Sequence, residues 1–130
     1  MLSLNQLNVS YDGSRILRGV TLSVDPGQVV CLMGRNGVGK TTTLKAVVGL
    51  ARTDSGSIHL DGVDLTGWRP EHRARAGLGY VPQGRDIFPN LTVDENLRLG
   101  AVAQGRPLAG ALDRVFDLFP VLREMLGRKG

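Results

Sequence analysis

The chain has 130 residues, 42% hydrophobic and 22% charged, the balance of an ordinary globular domain or part of one. No stretch approaches the roughly 20 apolar residues of a membrane-spanning helix, and the N-terminus MLSLNQLNVSYDG lacks the basic start and apolar run of a secretory signal, so a cytosolic location is the default expectation. Net charge is +4, but only Arg69, His72, Arg73 and Arg75 cluster, which reads as the solvated face of a short helix; with aromatics at 5%, nucleic acid is not favoured as a partner.

Residues 2–11 alternate apolar and polar on Leu2, Leu4, Leu7 and Val9, out of step only around Gln6, which predicts a half-buried strand. Asp12-Gly13-Ser14 is a turn signal, and Ile16 to Val24 alternates again, so an antiparallel pair is expected. Asp25-Pro26-Gly27 is another turn. Residues 28–33 (QVVCLM) hold five consecutive apolar residues without alternation, as in a parallel strand covered on both faces, with the lone Cys31 a buried core residue. A helix is predicted over 40–50, with Leu44, Val47 and Val48 on its apolar face. Short strands follow at 56–60 and 78–81, the first ended by the Asp61-Gly62 turn and the second by Pro82, with a short helix over 70–75 between them. Thr92 and Glu95 have the spacing of a capping box opening a helix through Leu99. Residues 108–126 are helical in pattern, with a break at Pro120.

Between the apolar strand and the first helix stands Gly34-Arg35-Asn36-Gly37-Val38-Gly39-Lys40-Thr41-Thr42, which fits G-x-x-x-x-G-K-[ST] at every specified position. The residue types follow from the ligand. A triphosphate is a dense cluster of anionic oxygens, and glycines leave backbone N–H groups unobstructed around it. The helix start adds unpaired amides and the positive end of the dipole. Lys40 is placed to reach the β- and γ-phosphates, and the Thr41 hydroxyl to ligate Mg²⁺. The motif alone is shared by ATPases, GTPases and small-molecule kinases.

The flanking residues separate these classes. Leu7-Asn8-Val9-Ser10-Tyr11 with Ile16-Leu17-Arg18-Gly19-Val20, then Tyr80-Val81-Pro82-Gln83 and Leu91-Thr92-Val93 before Glu95-Asn96-Leu97, resemble the nucleotide-binding subunits of ABC transporters over the whole chain. The resemblance implies an α/β fold, a P-loop NTPase core of ABC type, incomplete here, with an N-terminal antiparallel β subdomain and the start of a helical subdomain. It places the β subdomain and core at residues 1–82, and the Gln83 loop with the start of the helical subdomain at 83–130. It implies ATP and Mg²⁺ as cofactors. Tyr11 would stack on adenine with Ile16 nearby, residues 34–42 would hold the phosphates, and Gln83 would join Thr41 at the metal. Taken alone, Tyr11 is an aromatic at a strand end and the Pro-Gln pair a turn. Implied partners are a second ATP-binding subunit, transmembrane permease subunits near Arg85, Phe88 and Pro89, and indirectly a substrate-binding protein. The implied location is the cytoplasmic face of the membrane.

The strings GRNGVGKTT and YVPQGRDIFPNLTVDENL look most like ATP-binding subunits of urea importers, relatives of branched-chain amino acid importers. The family's LSGGQ signature, later Asp-Glu pair and switch histidine do not occur in these residues, so a chain nearly twice as long is expected, and residues 1–130 alone are expected to bind without turnover. Two other classes stay open. A kinase or GTPase would need an acceptor site or a guanine-reading Asn-Lys-x-Asp; a non-hydrolysing nucleotide-dependent module would need only what is present.

Overall fold

The computed structural model describes residues 1–130 apart from Arg85, Gln104 and residues 106–109. The chain divides into two compact units, Met1–Leu78 and Gly79–Gly130.

The first unit is organised by a sheet of order β2-β1-β3-β4: β1 (Leu2–Tyr11), β2 (Ser14–Val24), β3 (Ser55–Leu60) and β4 (Val63–Asp64). Every pairing is antiparallel. β1 is central because it carries the alternating apolar face: Leu4, Leu7 and Val9 are buried, opposite Leu17 of β2 and Ile58 of β3. The break in alternation at Gln6 is a physical bulge. Gln6 sits at φ 47°, the register slips between Leu4 and Leu7, and its N–H donates to Thr21 Oγ1 at 3.0 Å. Without that extra residue Leu7 would face away from the core. Asp12-Gly13 and Asp61-Gly62 both place two consecutive residues at positive φ, the hairpin geometry whose twist matches that of the strands.

Helix α1 (Lys40–Val47) packs Thr43, Ala46 and Val47 on the core; Leu44, expected on that face, is exposed. The buried positions lie three and four residues apart, so the face that meets the core keeps Val47 from the expected face and turns away from Leu44. The helix ends at Val47, short of 50, because Gly49 N–H bonds Ala46 O (3.2 Å) and Leu50 N–H bonds Lys45 O (2.8 Å), the paired reversal of a Schellman motif. Helix α2 (Pro70–Arg75) matches its expected bounds, with proline in the first turn.

Residues 28–33 correct the expectation of a buried strand. They form no strand, Val29 is 94% and Met33 87% exposed, and Cys31 is exposed and free. A parallel strand is made by its neighbours, and the strands among the described residues are β1 to β4 alone. Residues 78–81 likewise form no strand, and Val81 is exposed. The parallel layer of the expected fold is thus not seen among the described residues.

In the second unit α3 (Val93–Ala103) runs one turn past its expected end, followed by α4 (Ala111–Leu118) and α5 (Leu122–Met125) on either side of Pro120. Leu108, where the helical tail was expected to start, and Arg85 lie outside the described residues. The capping box is formed. Glu95 accepts from the Thr92 N–H at 2.7 Å, and the Glu95 N–H donates to Thr92 Oγ1 at 3.2 Å. The tail closes on the same turn, with Val93 N–H on Arg128 O and Asp94 N–H on Leu126 O. Asn96 pins the preceding loop, its Nδ2 donating to Phe88 O (3.0 Å) and its Oδ1 accepting from Phe88 N–H (2.9 Å).

These bonds carry a pH dependence. The Thr92 N–H and then its hydroxyl hold the Glu95 carboxyl below the ordinary 4.5. A depressed folded-state pKa stabilises fully above the ordinary value and is lost as pH falls from there through the folded value. Glu95→Gln removes that titration. The melting temperatures of wild type and Glu95→Gln, followed from about pH 6 down to about pH 3, should converge as acid is added; a constant gap would show that Glu95 acts through packing instead.

Candidate functional site

The loop Gly34–Thr42 leads straight into α1, with Gly39 as its N-cap residue at φ 98°. That φ excludes most side chains, and space excludes the rest: a Cβ on Gly39 would lie 2.6 Å from Leu17 Cδ2 and 3.4 Å from Ile16 O. The loop therefore ends pressed on β2 at Ile16 and Leu17. The close approach fixes where the helix begins.

No side chain among the described residues caps α1, and the first closing bond is Thr43 N–H to Gly39 O at 2.8 Å. The amides of the first turn are thus open at the positive end of the helix dipole, with no acidic residue in that turn. They face a pocket of about 150 Å³ lined by Asn36, Gly37, Gly39, Lys40, Thr41 and Thr42. Lys40 Nζ is held at its mouth, donating to Gly34 O (2.5 Å) and Arg35 O (2.7 Å). An ammonium and a row of amides converging on a small polar concavity suit a multiply charged oxyanion.

Thr41 is exposed at the pocket, with its hydroxyl available to a hard cation, while Thr43 is buried with Oγ1 donating to Gly39 O at 2.9 Å. Three consecutive threonines so divide by helical register, Thr41 and Thr42 lining the site and Thr43 locking its cap. Arg35, Asn36 and Val38 are exposed along the loop. The donor set fits a metal-bound polyphosphate: open amides, one ammonium and the Thr41 and Thr42 hydroxyls, with no carboxylate among the described residues that line the pocket to repel the anion.

Ile16 is half-buried, its Cγ2 3.7 Å from a Cβ built on Gly39, so β2 brings it beside the phosphate loop. Tyr11 ends β1 opposite Ser14 and is 43% exposed at the same hairpin. Gln83 is exposed in the bend after Pro82 and belongs to the second unit.

One charged residue escaped the sequence reading. Arg73, grouped there with a solvated face, is only 3% exposed, whereas Arg69, His72 and Arg75 are exposed. Its guanidinium is taken up by main-chain carbonyls, two of them 26 and 27 residues earlier on α1. No local pattern signals a partner that distant. No helix among the described residues is long and apolar enough to cross a membrane.

Residues 17–126 match the family model described as ABC transporter. A probable branched-chain amino acid transport ATP-binding protein LivF from Archaeoglobus fulgidus is 36% identical over 130 residues, covering 99% of this chain and 55% of that protein. BraG of Pseudomonas aeruginosa, a high-affinity branched-chain amino acid transport ATP-binding protein, is 36% identical over 125 residues, 95% of this chain and 54% of its own length. The lipopolysaccharide export system ATP-binding protein LptB of Haemophilus influenzae is 44% identical over 97 residues, 75% of this chain and 40% of LptB. Among solved structures, an ATP-binding subunit of an ABC transporter superposes at a TM-score of 0.87 with 34% identity, over 99% of this chain and 54% of that one. The chain spans about half the length of the curated relatives it matches over nearly all its residues. On the family match across residues 17–126, it belongs to the ABC transporter family, among the ATP-binding subunits.

Proposed function

We propose that this chain binds Mg·ATP in the loop Gly34–Thr42, as part of a subunit that couples ATP binding and hydrolysis to uptake through a membrane permease. The observation that carries the reading is the open first turn of α1 with the Lys40 ammonium at its mouth. The loop amides and Lys40 would hold the phosphates, and Thr41 the metal, joined by Gln83. Tyr11 would stack on adenine, with Ile16 packing nearby. Hydrolysis needs an oriented water and charge stabilisation besides this grip, and the residues described here account for the grip. A second ATP-binding subunit, the permease and indirectly a substrate-binding protein are the partners this reading requires, at the cytoplasmic face of the membrane.

For the cargo, urea is supported by the strings around the loop and after Gln83. Branched-chain amino acids are the second reading, favoured by the printed functions of the LivF and BraG relatives. The export function of LptB makes import itself part of what is tested. The intact subunit, reconstituted in liposomes with its permease, decides among them. ATPase activity stimulated by a binding protein loaded with urea, and not with leucine, supports urea; the reverse pattern supports the amino acids. Stimulation by neither overturns the importer assignment.

A further inference from the structure

Arg73 is a buried charge whose surroundings hold no carboxylate within ion-pairing distance among the described residues. Its Nη1 donates to Ala46 O and Val47 O at 2.8 Å each, Nη2 to Thr66 O at 2.8 Å and Nε to Trp68 O at 3.0 Å. Burial lowers its pKa from the ordinary guanidinium range, with Asp64 opposing the shift. A well-packed apolar side chain of the same volume would avoid that desolvation cost. What it would not do is bind four carbonyls on two separate stretches of chain. The last carbonyls of a helix lack intrahelical partners, and a cation there also complements the dipole. Gly49 makes the approach possible: at φ 83°, a Cβ there would stand 3.1 Å from Arg73 Nε.

The carbonyls it grips are the trailing end of the same eight-residue helix whose leading end is the phosphate site. Eight residues span about 12 Å, so a rotation of the held end displaces the amides at the other. We infer that Arg73 is a positioning residue for the phosphate site, anchoring α1 to the β4–α2 connection so that its first-turn amides stay aimed at the ligand. This rests on the reading of the Gly34–Thr42 loop as the ATP site. Misplacements well under 1 Å weaken such contacts substantially.

The test uses the intact protein, with Mg·ATP titrated calorimetrically at about 10 °C, under conditions where far-ultraviolet circular dichroism shows each variant folded. Arg73→Met should raise Kd at least about fivefold, and Arg73→Lys should fall between it and wild type. Where Arg73→Met does not fold, Arg73→Lys decides by the same measure. A lowered melting temperature with Kd unchanged in the folded variants overturns the inference and leaves Arg73 a packing residue. Lys40→Ala is run alongside. If it too leaves Kd unchanged, the loop is not the ATP site and the proposed function fails; if it abolishes binding while the Arg73 variants bind as wild type, the inference alone fails.

Discussion

Lys40→Ala should lower the affinity of the intact protein for Mg·ATP by about 100-fold, or about 3 kcal/mol, while leaving its fold in place. The ammonium is held at the loop by the Gly34 and Arg35 carbonyls, so it sits where the β- and γ-phosphates are expected and is oriented before they arrive. Its removal takes away charge-assisted donors and leaves phosphate oxygens facing two unpaired carbonyls. Stability should change little, because the two carbonyls it releases lie in an exposed loop. Isothermal titration with Mg·ATP reads the affinity, and circular dichroism confirms the fold. An affinity within about twofold of wild type would refute the phosphate-loop reading.

Leu7→Ala should destabilise the first unit by about 3 kcal/mol. Leu7 has no exposed surface, lies on the central strand β1 opposite Val20, and belongs to the cluster of Leu4, Val9, Leu17, Ala46 and Ile58. Strands on both sides limit collapse of the cavity, since β1 is bonded to β2 and β3 alike. Urea unfolding followed by the fluorescence of Trp68, the only tryptophan and a member of the same unit, measures the change. A loss under about 1 kcal/mol would mean that the bulge at Gln6 re-registers and fills the hole.

Gln6 also shows what was legible before any fold was known. A break in alternation at one residue became a residue at positive φ and a register slip, because a pleat allows no other way to absorb an odd residue. The Asp-Gly hairpins, the proline start of α2 and the Thr92–Glu95 box were equally readable, and so was a glycine-rich loop opening α1. Each is a contract between residues no more than a few positions apart, so the neighbours are known from the chain itself.

Burial required tertiary structure. Arg73 looked solvated because its neighbours Arg69, His72 and Arg75 are; its acceptors at Ala46 and Val47 come from another helix. Val29 and Met33 looked enclosed because they are apolar, and are exposed because residues 28–33 join no described strand. Leu44 was assigned inward from periodicity, which gives the angle between faces but not which face the sheet meets. The sequence by itself determined the turns, the capping box and the glycine-rich loop that opens α1, whose determinants are local. Only the tertiary structure decided which side chains leave water, because desolvation depends on partners the chain brings together from a distance.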